Sequence, residues 1–434
     1  SYGEKLWAQN GIPICTASNT QKFNNAEEGN VYIKPNTIIA DGYGNYIITW
    51  EDNRNGNWDI YAQKITSQGS TLWALNGIAV CTVSANQRYP VLTSDGLGGA
   101  IITWEDWRNE YSNPTSESDI YIQRINSEGN PMWTPGGVSV CTSIYMQKKQ
   151  ELISDGNGGA IIVWADYRVP FVVPIEPYPV SYDANPNVYA QRIDNTGNAL
   201  WINNGIPITH NNAELDEQNT PQIISDGFGG AFISSAHSIG IFWEPAVTNI
   251  IRINSLGSTL WSCSIMTSDM HLAGIPVIIS DENNGIIVAV DDYLNNYDVY
   301  AGRVYSSGTS LWNINGITIC TSENEQTESR IISDGIGGAI ITWYDRRNGY
   351  ADIYAQRINS GGVNLWTING VAVCTANYDQ VYPKIVSDLA NGAIIVWDDY
   401  RNGIDSDIYA QRVYSSGYVI SPVNVPKELW DFEP

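Results

Sequence analysis

Histidine, methionine and basic residues are scarce in this chain. Its 434 residues include three histidines, four methionines and 22 lysines and arginines against 46 aspartates and glutamates, for a formal net charge of −24. This charge argues against a nucleic-acid ligand, because phosphates attract basic surfaces, and against docking on an anionic membrane. No run approaches roughly 18 consecutive apolar residues, so no membrane-spanning helix and no membrane insertion are predicted.

The chain also lacks an initial methionine and a charged-then-apolar leader before Ser1. We interpret it as either a mature form after signal removal or an artificial start. An acidic composition rich in Asn and Gly suits an extracellular or cell-surface protein, and we expect that location.

Recognised catalytic motifs are missing as well. The sequence contains no GxSxG, HExxH, P-loop or EF-hand pattern. The three histidines, His210, His237 and His271, are too dispersed for a zinc site. We therefore predict no catalytic residue, no metal ligand and no cofactor, with calcium as a weaker hypothesis that chelation would test through the melting temperature.

Six cysteines are few for a secreted chain of this length, and five of them end one recurring phrase, as in NGIAVC and NGITIC (Cys15, Cys81, Cys141, Cys320 and Cys374). Equivalent positions in successive repeats lie farther apart than the ~4.4–6.8 Å between Cα atoms that a disulfide requires. We predict small buried thiols instead. Cys263 is out of phase, and the sequence leaves open whether its thiol is free.

The sequence does contain one motif that is repeated seven times. An SD or AD dipeptide places aspartate at seven positions (Asp41, Asp95, Asp155, Asp226, Asp281, Asp334 and Asp388). Five copies continue into W-x-D-x-R, among them Trp104/Asp106/Arg108 and Trp343/Asp345/Arg347. Internal repetition at a period of roughly 50 residues indicates a repeat architecture.

Each repeat holds four short β-prone runs separated by Gly-rich turns, and helical periodicity is absent. In the second repeat these runs are YPVLTSD, AIITWED, DIYIQRI and PMWTPGGVSVCT. Seven such repeats predict an all-β, seven-bladed β-propeller.

The two chain ends complement each other. The chain opens on KLWAQNGIPICT (5–16), which reads as a fourth strand, and the last repeat has only three. We predict that strand 5–16 completes the last blade and closes the ring, which removes two exposed sheet edges. The propeller then spans residues 1–413 as one domain, and residues 414–434 form a tail outside the repeats.

The phrases SDGLGGAIITWEDWRN…SDIYIQRINSEG and ADGYGNYIITWEDNRNGNWDIYAQKITSQG resemble the TolB-type, or WD40-like, propeller repeat of secreted bacterial proteins. The likeness covers essentially the whole chain. This sequence departs from the family phrase in lacking the proline before the aspartate, in its W-x-D-x-R tryptophan and in its LW…NGxxVC fourth strand. The resemblance implies a scaffold for binding, or an auxiliary domain beside a catalytic one.

The repeated residues are interpreted as structural, because one active site does not need seven acids. The aspartate of SDG, as in Asp95 and Asp334, is expected to hydrogen-bond its own turn. The aspartate and arginine of W-x-D-x-R, as in Asp106 and Arg108, are expected to pair between adjacent blades. The same interpretation covers Trp104, Trp343, Asp345 and Arg347.

Residues outside the repeat register give little sign of catalysis. Only Arg88, Arg330 and Arg346 leave the register, too few for the arginine cluster of a sialidase-like site. Several acids are expected in loops before first strands (Glu214, Asp216, Glu217, Glu328 and Asp379), and nothing singles out a glycosidase pair among them. In the fourth repeat, Ser235 and His237 replace the Trp and Asp of W-x-D, which we interpret as drift.

Insertions mark the predicted functional face. Four of them fall on one face of consecutive blades, at 17–33, 109–118, 169–186 and 238–248. Function often lies on variable loops carried by a rigid scaffold. The partner-binding residues that we predict are aromatic and lie in these loops or in the tail (Phe171, Tyr178, Tyr182, Tyr111, Trp243 and Trp430).

We therefore predict a non-enzymatic extracellular binding or assembly module, acting by protein–protein interaction, adhesion or self-assembly, with a protein or second-copy partner and a glycan as an open alternative. The rival hypothesis is a carbohydrate-active enzyme, hydrolase or lyase, or a lectin, working at the central channel. Loss of activity in Glu217→Gln or Asp379→Asn would favour the enzyme.

Overall fold

The computed structural model describes residues 12–22, 37–109, 118–168, 172–173, 180–181, 186–209, 220–238, 246–265, 276–292, 297–313, 316–403 and 407–419. Within these ranges every regular element is a β-strand, and pairing within the sheets is antiparallel. The chain forms two compact units, Ser1–Phe242 with Asn249–Ser262 and Trp243–Thr248 with Cys263–Pro434.

The first three repeats form a sheet each. The first sheet contains β1 (Gln21–Lys22), β2 (Ile38–Ala40), β3 (Asn45–Asp52), β4 (Asp59–Thr66) and β5 (Ile78–Cys81). The second contains β6 (Gln87–Ser94), β7 (Ala100–Asp106), β8 (Asp119–Ile125) and β9 (Val138–Cys141). The third contains β10 (Gln147–Ser154) and β11 (Ala160–Asp166), then, after the separate ribbon β12 (Val172–Val173) and β13 (Val180–Ser181), β14 (Asn187–Ile193) and β15 (Ile206–Pro207).

The other four repeats follow the same order. The fourth sheet contains β16 (Gln222–Ser225), β17 (Ala231–Ser238), β18 (Ala246–Ile253) and β19 (Thr259–Ile265). The fifth contains β20 (Val277–Ser280), β21 (Ile286–Asp292), β22 (Asp298–Val304) and β23 (Ile317–Cys320), and the sixth β24 (Gln326–Ser333), β25 (Ala339–Asp345), β26 (Asp352–Ile358) and β27 (Val371–Cys374). The seventh has three described strands, β28 (Gln380–Ser387), β29 (Ala393–Asp399) and β30 (Asp407–Val413).

The apolar core lies between consecutive sheets within each unit. One cluster joins Ile47 and Ile60 of the first sheet to Leu92 and Ile102 of the second, and a matching cluster joins the fifth and sixth sheets. Because a sheet in the middle of the series is covered on both faces, all seven residues of β7 and of β26 are buried. The repeated antiparallel sheets are those of a β-propeller-like, all-β fold.

The tryptophan of W-x-D packs on the glycine that opens the fourth strand. Trp104 is fully buried, and a Cβ added to Gly137 would lie 2.5 Å from its Cη2 atom. Gly137 also has a φ of 85°, in the left-handed region, so only glycine fits there without strain. The two halves of the repeated phrase therefore depend on each other through one contact.

Candidate functional site

Each sheet has two different ends. At the SDG end lie the SDG turn and the turn between the third and fourth strands. At the W-x-D end the second strand finishes at the W-x-D aspartate, and the first and third strands begin. In the second sheet, for example, Asp106 is paired with both Gln87 and Asp119.

The SDG ends are built in the same way in all seven repeats. The Oδ1 atom of each SDG aspartate accepts two backbone N–H groups of its own turn, as Asp95 does from Leu97 and Gly99 at 2.8 Å each. The Oδ2 atom pairs with the basic residue of the third strand in the same repeat (Lys64–Asp41, Arg124–Asp95, Arg192–Asp155, Arg252–Asp226, Arg303–Asp281, Arg357–Asp334 and Arg412–Asp388). The carboxylates at this end are thus occupied by the scaffold.

At least four of the third-strand basic residues reach a turn of the next sheet (Lys64, Arg192, Arg303 and Arg357). Lys64 Nζ donates to the Gly98 carbonyl at 2.7 Å, and Arg357 Nη1 donates to the Ser415 carbonyl at 2.9 Å. A Leu-Trp pair also recurs before the fourth strand, and its tryptophan does the same, with Trp73 Nε1 3.0 Å from the Ser127 carbonyl oxygen. These contacts explain why the LW pair and the third-strand basic residue recur.

The W-x-D-x-R aspartate and arginine pair within one repeat, so the predicted pairing between adjacent blades was wrong. Asp106 accepts hydrogen bonds from Trp104 Nε1 at 2.8 Å and from Arg108 Nε at 2.9 Å. Asp345 accepts from Trp343 Nε1 at 3.0 Å and from Arg347 in the same way. The aspartate and the arginine are only two residues apart at the end of one strand, so they reach each other more easily than either reaches a neighbouring sheet.

The contact between repeats is made by cysteine instead. Arg108 Nη2 lies 3.4 Å from Cys81 Sγ of the preceding repeat, and Arg347 Nη2 lies 3.2 Å from Cys320 Sγ. All six cysteines are free, Cys263 included. Burial raises the pKa of Cys81 to about 12 and that of Cys320 to about 11, so these thiols stay neutral and serve as packing groups and weak acceptors.

The first strand carries a β-bulge close to the W-x-D end in the second, third, sixth and seventh repeats. In the second repeat Arg88 pairs with Glu105 and Val91 pairs with Thr103, so two residues stand opposite Trp104 alone. The first bulged residue has a positive φ in each case, although none is glycine (Tyr89, Lys149, Glu328 and Tyr382). Bulges of this kind redirect side chains and often lie near functional sites.

The first repeat carries an insertion at the same point. β1 pairs Gln21 with Asp52 and Lys22 with Glu51, and β2 resumes the pairing at Ile38 opposite Ile48. The insertion predicted as a stretched entry at 17–33 therefore interrupts the first strand where other repeats have a bulge.

Buried acids at the middle position of W-x-D hold the bulges of the next repeat. Glu51 accepts the Tyr89 N–H at 2.8 Å and pairs with Arg88 at 3.2 Å. Glu105 accepts the Lys149 N–H at 3.0 Å. Burial raises the pKa of Glu105 to about 7, although the Lys149 N–H acts in the opposite direction.

A second group of this kind lies in the other compact unit, and we call Asp291, Glu328 and Arg330 the Glu328 cluster. Asp291 Oδ2 accepts the Ser329 N–H at 3.2 Å and the Thr327 hydroxyl at 3.3 Å. Glu328 Oε2 accepts from Arg330 Nη2 at 2.7 Å. Burial raises the pKa of Asp291 to about 6, and the charge of Glu328 acts in the same direction.

Sequence reasoning passed over this cluster. Arg330 and Arg88 are too few to predict a site from the sequence, and Glu328, predicted in a loop before the first strand, lies inside β24. Comparing the repeats with one another could have pointed to this cluster. The four residues after the first-strand glutamine differ in every repeat that has the bulge (RYPV, KKQE, TESR and VYPK).

The predicted partner-binding residues lie outside the described residues, and so do Glu214, Asp216, Glu217, His210 and His271. His237 lies in β17, of which only the backbone is described there. Asp379 precedes β28 as expected, accepts the Ala351 N–H at 2.9 Å and lies 3.3 Å from Arg346 Nη1. Among the described side chains, no three of His, Cys, Asp and Glu are grouped closely enough to hold a metal ion, and no described helix is long and apolar enough to cross a membrane.

No family model matches the chain, and no curated protein is significantly similar to it. Among solved structures it is similar to an ulvan lyase of polysaccharide lyase family 25, bound to -[GlcA(1-4)Rha3S]-, at a TM-score of 0.52 and 10% identity over 90% of this chain and 95% of that one. It is also similar to the NanB sialidase from Streptococcus pneumoniae, at a TM-score of 0.37 and 10% identity over 84% and 82% of the two chains. At this identity the likeness shows the fold alone, and it does not single out the TolB-type repeat.

Proposed function

We propose that this protein is an extracellular binding module that holds its ligand at the W-x-D ends of its repeats. The observation that carries this proposal is the contrast between the two ends. The SDG ends repeat one set of contacts seven times, whereas the W-x-D ends carry all four predicted insertions, and their four bulges carry three different residue pairs, Tyr-Pro, Lys-Gln and Glu-Ser. A constant scaffold with one variable end is the usual arrangement of a binding protein.

We further propose that the repeats form one seven-bladed ring over 1–413, of the TolB-like kind. Two separate observations support it. In the first unit, Cys15 accepts from Arg54 Nη2 at 3.2 Å, as the cysteine of a preceding repeat does elsewhere. In the second unit, Ile408 of the three-stranded last sheet is 72% exposed, whereas its equivalent Ile353 is fully buried. A fourth strand supplied by 5–16 would bring a neighbour to that exposed face.

The proposal is tested by exchanging one end at a time. Replacing 169–186 with the equivalent short loop NGYA (348–351) of the sixth repeat alters a W-x-D end, and Leu97→Ala with Phe228→Ala alters two exposed side chains of SDG turns. We expect the loop exchange to weaken binding of the labelled protein to intact cells of its source by about tenfold. The SDG-end variant should bind as the unaltered protein does. Equal binding by both variants would contradict the proposal.

A second candidate function, a carbohydrate-active enzyme, is favoured by one observation, the nearness of two buried carboxyl groups. Asp291 has a raised pKa and accepts the N–H of Ser329, the residue that follows Glu328, a combination suited to general acid–base work. Turnover of a polysaccharide panel that is lost in Glu328→Gln would support the enzyme. No turnover by the unaltered protein on the same panel would reject it.

A further inference from the structure

Two exposed tyrosines meet where the sixth and seventh repeats adjoin, within one compact unit. Tyr350 lies in the loop between β25 and β26 and Tyr378 in the loop before β28, so both are at W-x-D ends. Their ring centroids are 5.5 Å apart, with the ring planes at 59°, and the two residues are 53% and 46% exposed. Tyr378 also rests on Gly403, where an added Cβ would lie 3.2 Å from the ring. The pair is therefore an aromatic surface that a ligand can reach.

A carboxylate adjoins the two rings. Asp379 follows Tyr378, and its Oδ1 atom accepts the N–H of Ala351 in the other loop at 2.9 Å. Arg346 lies between two acids, with its Nη1 atom 3.3 Å from Asp379 Oδ1 and its Nε atom 3.1 Å from Glu325 Oε2. These three charged side chains are partly exposed and carry one net negative charge.

The scaffold does not require these residues. At the junction of the first and second repeats, the positions of the two tyrosines and the aspartate hold Asn57, Ala85 and Asn86. Asn57 Nδ2 donates to the Ala85 carbonyl at 2.7 Å, and Asn86 Oδ1 accepts the Trp58 N–H at 3.1 Å. The same loops are thus joined there without tyrosine and without charge.

Tyr378 adopts a backbone conformation that suits asparagine better. Its φ is 63°, and the equivalent Asn19 and Asn324 have φ values of 64° and 66°. A tyrosine in this left-handed region costs more than an asparagine does. Tyr145 also occupies this position, but it is partly buried and packs against Tyr167. A strained residue whose side chain stays exposed is typical of a functional position.

The chain itself shows what a tyrosine face beside a carboxylate holds. The Cζ atom of Arg54 lies 3.8 Å from the ring centroid of Tyr61 while the guanidinium pairs with Asp52. Four other repeats have the same stack at 3.7 to 3.9 Å (Arg108–Tyr121, Arg168–Tyr189, Arg347–Tyr354 and Arg401–Tyr409). An arginine fits such a pocket because its planar guanidinium can stack on a ring and pair with an acid at once.

Other aromatic rings at W-x-D ends are covered by cations of the chain. Lys22 Nζ lies 4.7 Å from the ring centroid of Trp58, and Lys148 Nζ lies 4.8 Å from that of Tyr167. Within the described part of the chain, no basic side chain lies over either tyrosine of the exposed pair. The pair and its carboxylate are arranged for a cation that the described residues do not supply.

We propose that Tyr350, Tyr378 and Asp379 bind an arginine side chain of a protein partner. This inference rests on the proposed binding at W-x-D ends and names the partner's chemistry for one of them. The chain's net charge of −24 attracts a basic partner over longer distances, and the tyrosine pair supplies the local contact.

The test uses the full chain and a labelled hexapeptide of alternating glycine and arginine, with binding followed by fluorescence anisotropy. Matched peptides carry lysine or citrulline in place of arginine, because citrulline keeps the shape of arginine and lacks its charge. We expect the arginine peptide to bind about fivefold or more tightly than the citrulline peptide.

Three variants place at the site the asparagines that other repeats carry at the same positions, so they should keep the fold and the melting temperature. Tyr350→Asn combined with Tyr378→Asn should weaken binding of the arginine peptide about tenfold, and Asp379→Asn about fivefold. The matched control is Glu128→Gln, which removes one negative charge from an exposed turn at an SDG end. It should leave binding within about twofold.

The other results would overturn the inference. Equal losses in Asp379→Asn and Glu128→Gln would mean that the peptide follows the overall charge and has no site here. Equal affinity for the arginine and citrulline peptides, or a preference for a neutral hexasaccharide of glucose that depends on the two tyrosines, would overturn the cationic ligand. A lysine peptide that binds as tightly would overturn the assignment to arginine. In each case the proposed function would survive if the loop exchange at 169–186 still weakened cell binding.

Discussion

Trp104 shows how one side chain serves several contacts at once. It is fully buried, donates to Asp106 at 2.8 Å and stacks on Tyr121 at 6.5 Å between ring centroids. Its loss would leave a cavity against Gly137 and remove one partner of a buried carboxylate. Truncating a buried tryptophan costs about 3–5 kcal/mol.

We therefore expect Trp104→Ala to lower the urea midpoint strongly, by the equivalent of about 3–5 kcal/mol. The control is Trp107→Ala, because Trp107 is half-buried and occupies a position of W-x-D-x-R that varies between repeats. It should change stability by about 1 kcal/mol or less. Equal shifts in the two urea midpoints would show that Trp104 contributes no more to stability than Trp107 does.

The Glu105 carboxyl gives stability a defined pH dependence. Its pKa is about 7 in the folded chain and 4.5 in the reference state, so the folded protein binds this proton more tightly. The contribution to stability is present in full below about pH 4 and is lost as pH rises through about 7. Glu105→Gln cannot ionise and should escape this loss.

Urea unfolding at pH 5 and pH 8 checks this directly. Relative to the unaltered protein, Glu105→Gln should gain on the order of 2 kcal/mol over that interval. Glu128→Gln, which alters an exposed acid in a turn, should gain nothing. If the free energy of unfolding depended on pH equally in Glu105→Gln and in the unaltered protein, Glu105 would be ionised in the folded chain at little cost in stability.

Among the elements, the bulged first strand depends on an unusual backbone conformation. Lys149 has a φ of 60°, a region that β-branched side chains avoid and that asparagine and glycine tolerate. Glu105 holds its N–H from the preceding repeat. The bulge is thus maintained by a neighbouring sheet against a local preference for regular pairing.

Lys149→Val should consequently lower the urea midpoint by the equivalent of about 1–2 kcal/mol. Lys149→Asn removes the same charge and should leave the midpoint close to its original value. If valine and asparagine had the same effect, backbone strain at the bulge would not be the cause.

For the whole molecule, the proposed ring closure has a measurable consequence. Removing residues 1–16 takes away Ile14 and Cys15, which pack on Trp50 and Tyr61 of the first sheet, and leaves the proposed last blade without its fourth strand. Two uncovered sheet surfaces favour association between chains. Light scattering after size exclusion should show oligomers in this variant and a lower melting temperature.

The matching experiment removes the other terminus. A chain ending at Val413 keeps every described strand of the last sheet. Polymers of the full chain that vanish in this truncation would make the tail a connector between subunits, whereas a monomer in both forms would turn attention to ligands at the W-x-D ends. A monomeric chain without residues 1–16 would contradict ring closure.

The sequence alone determined the elements and the repeated local contacts. Alternating apolar residues and Gly-rich turns set the strands, and the aspartate of SDG bonds a turn only two to four residues away. Interactions of this range depend on the local chain and little else, so they can be predicted from spacing.

Only the tertiary structure decided which groups from different repeats meet. Cys81 receives an arginine from the next sheet, Glu105 holds the bulge of the next first strand, and Glu328 lies within a strand beside Asp291. The cysteine–arginine contact recurs at a spacing of 27 residues in four repeats, but a spacing does not show that two side chains meet until the stacking of the two sheets is known. The raised pKa values at Glu105 and Asp291 follow from the same stacking, since burial between sheets removes the water that would stabilise their charges.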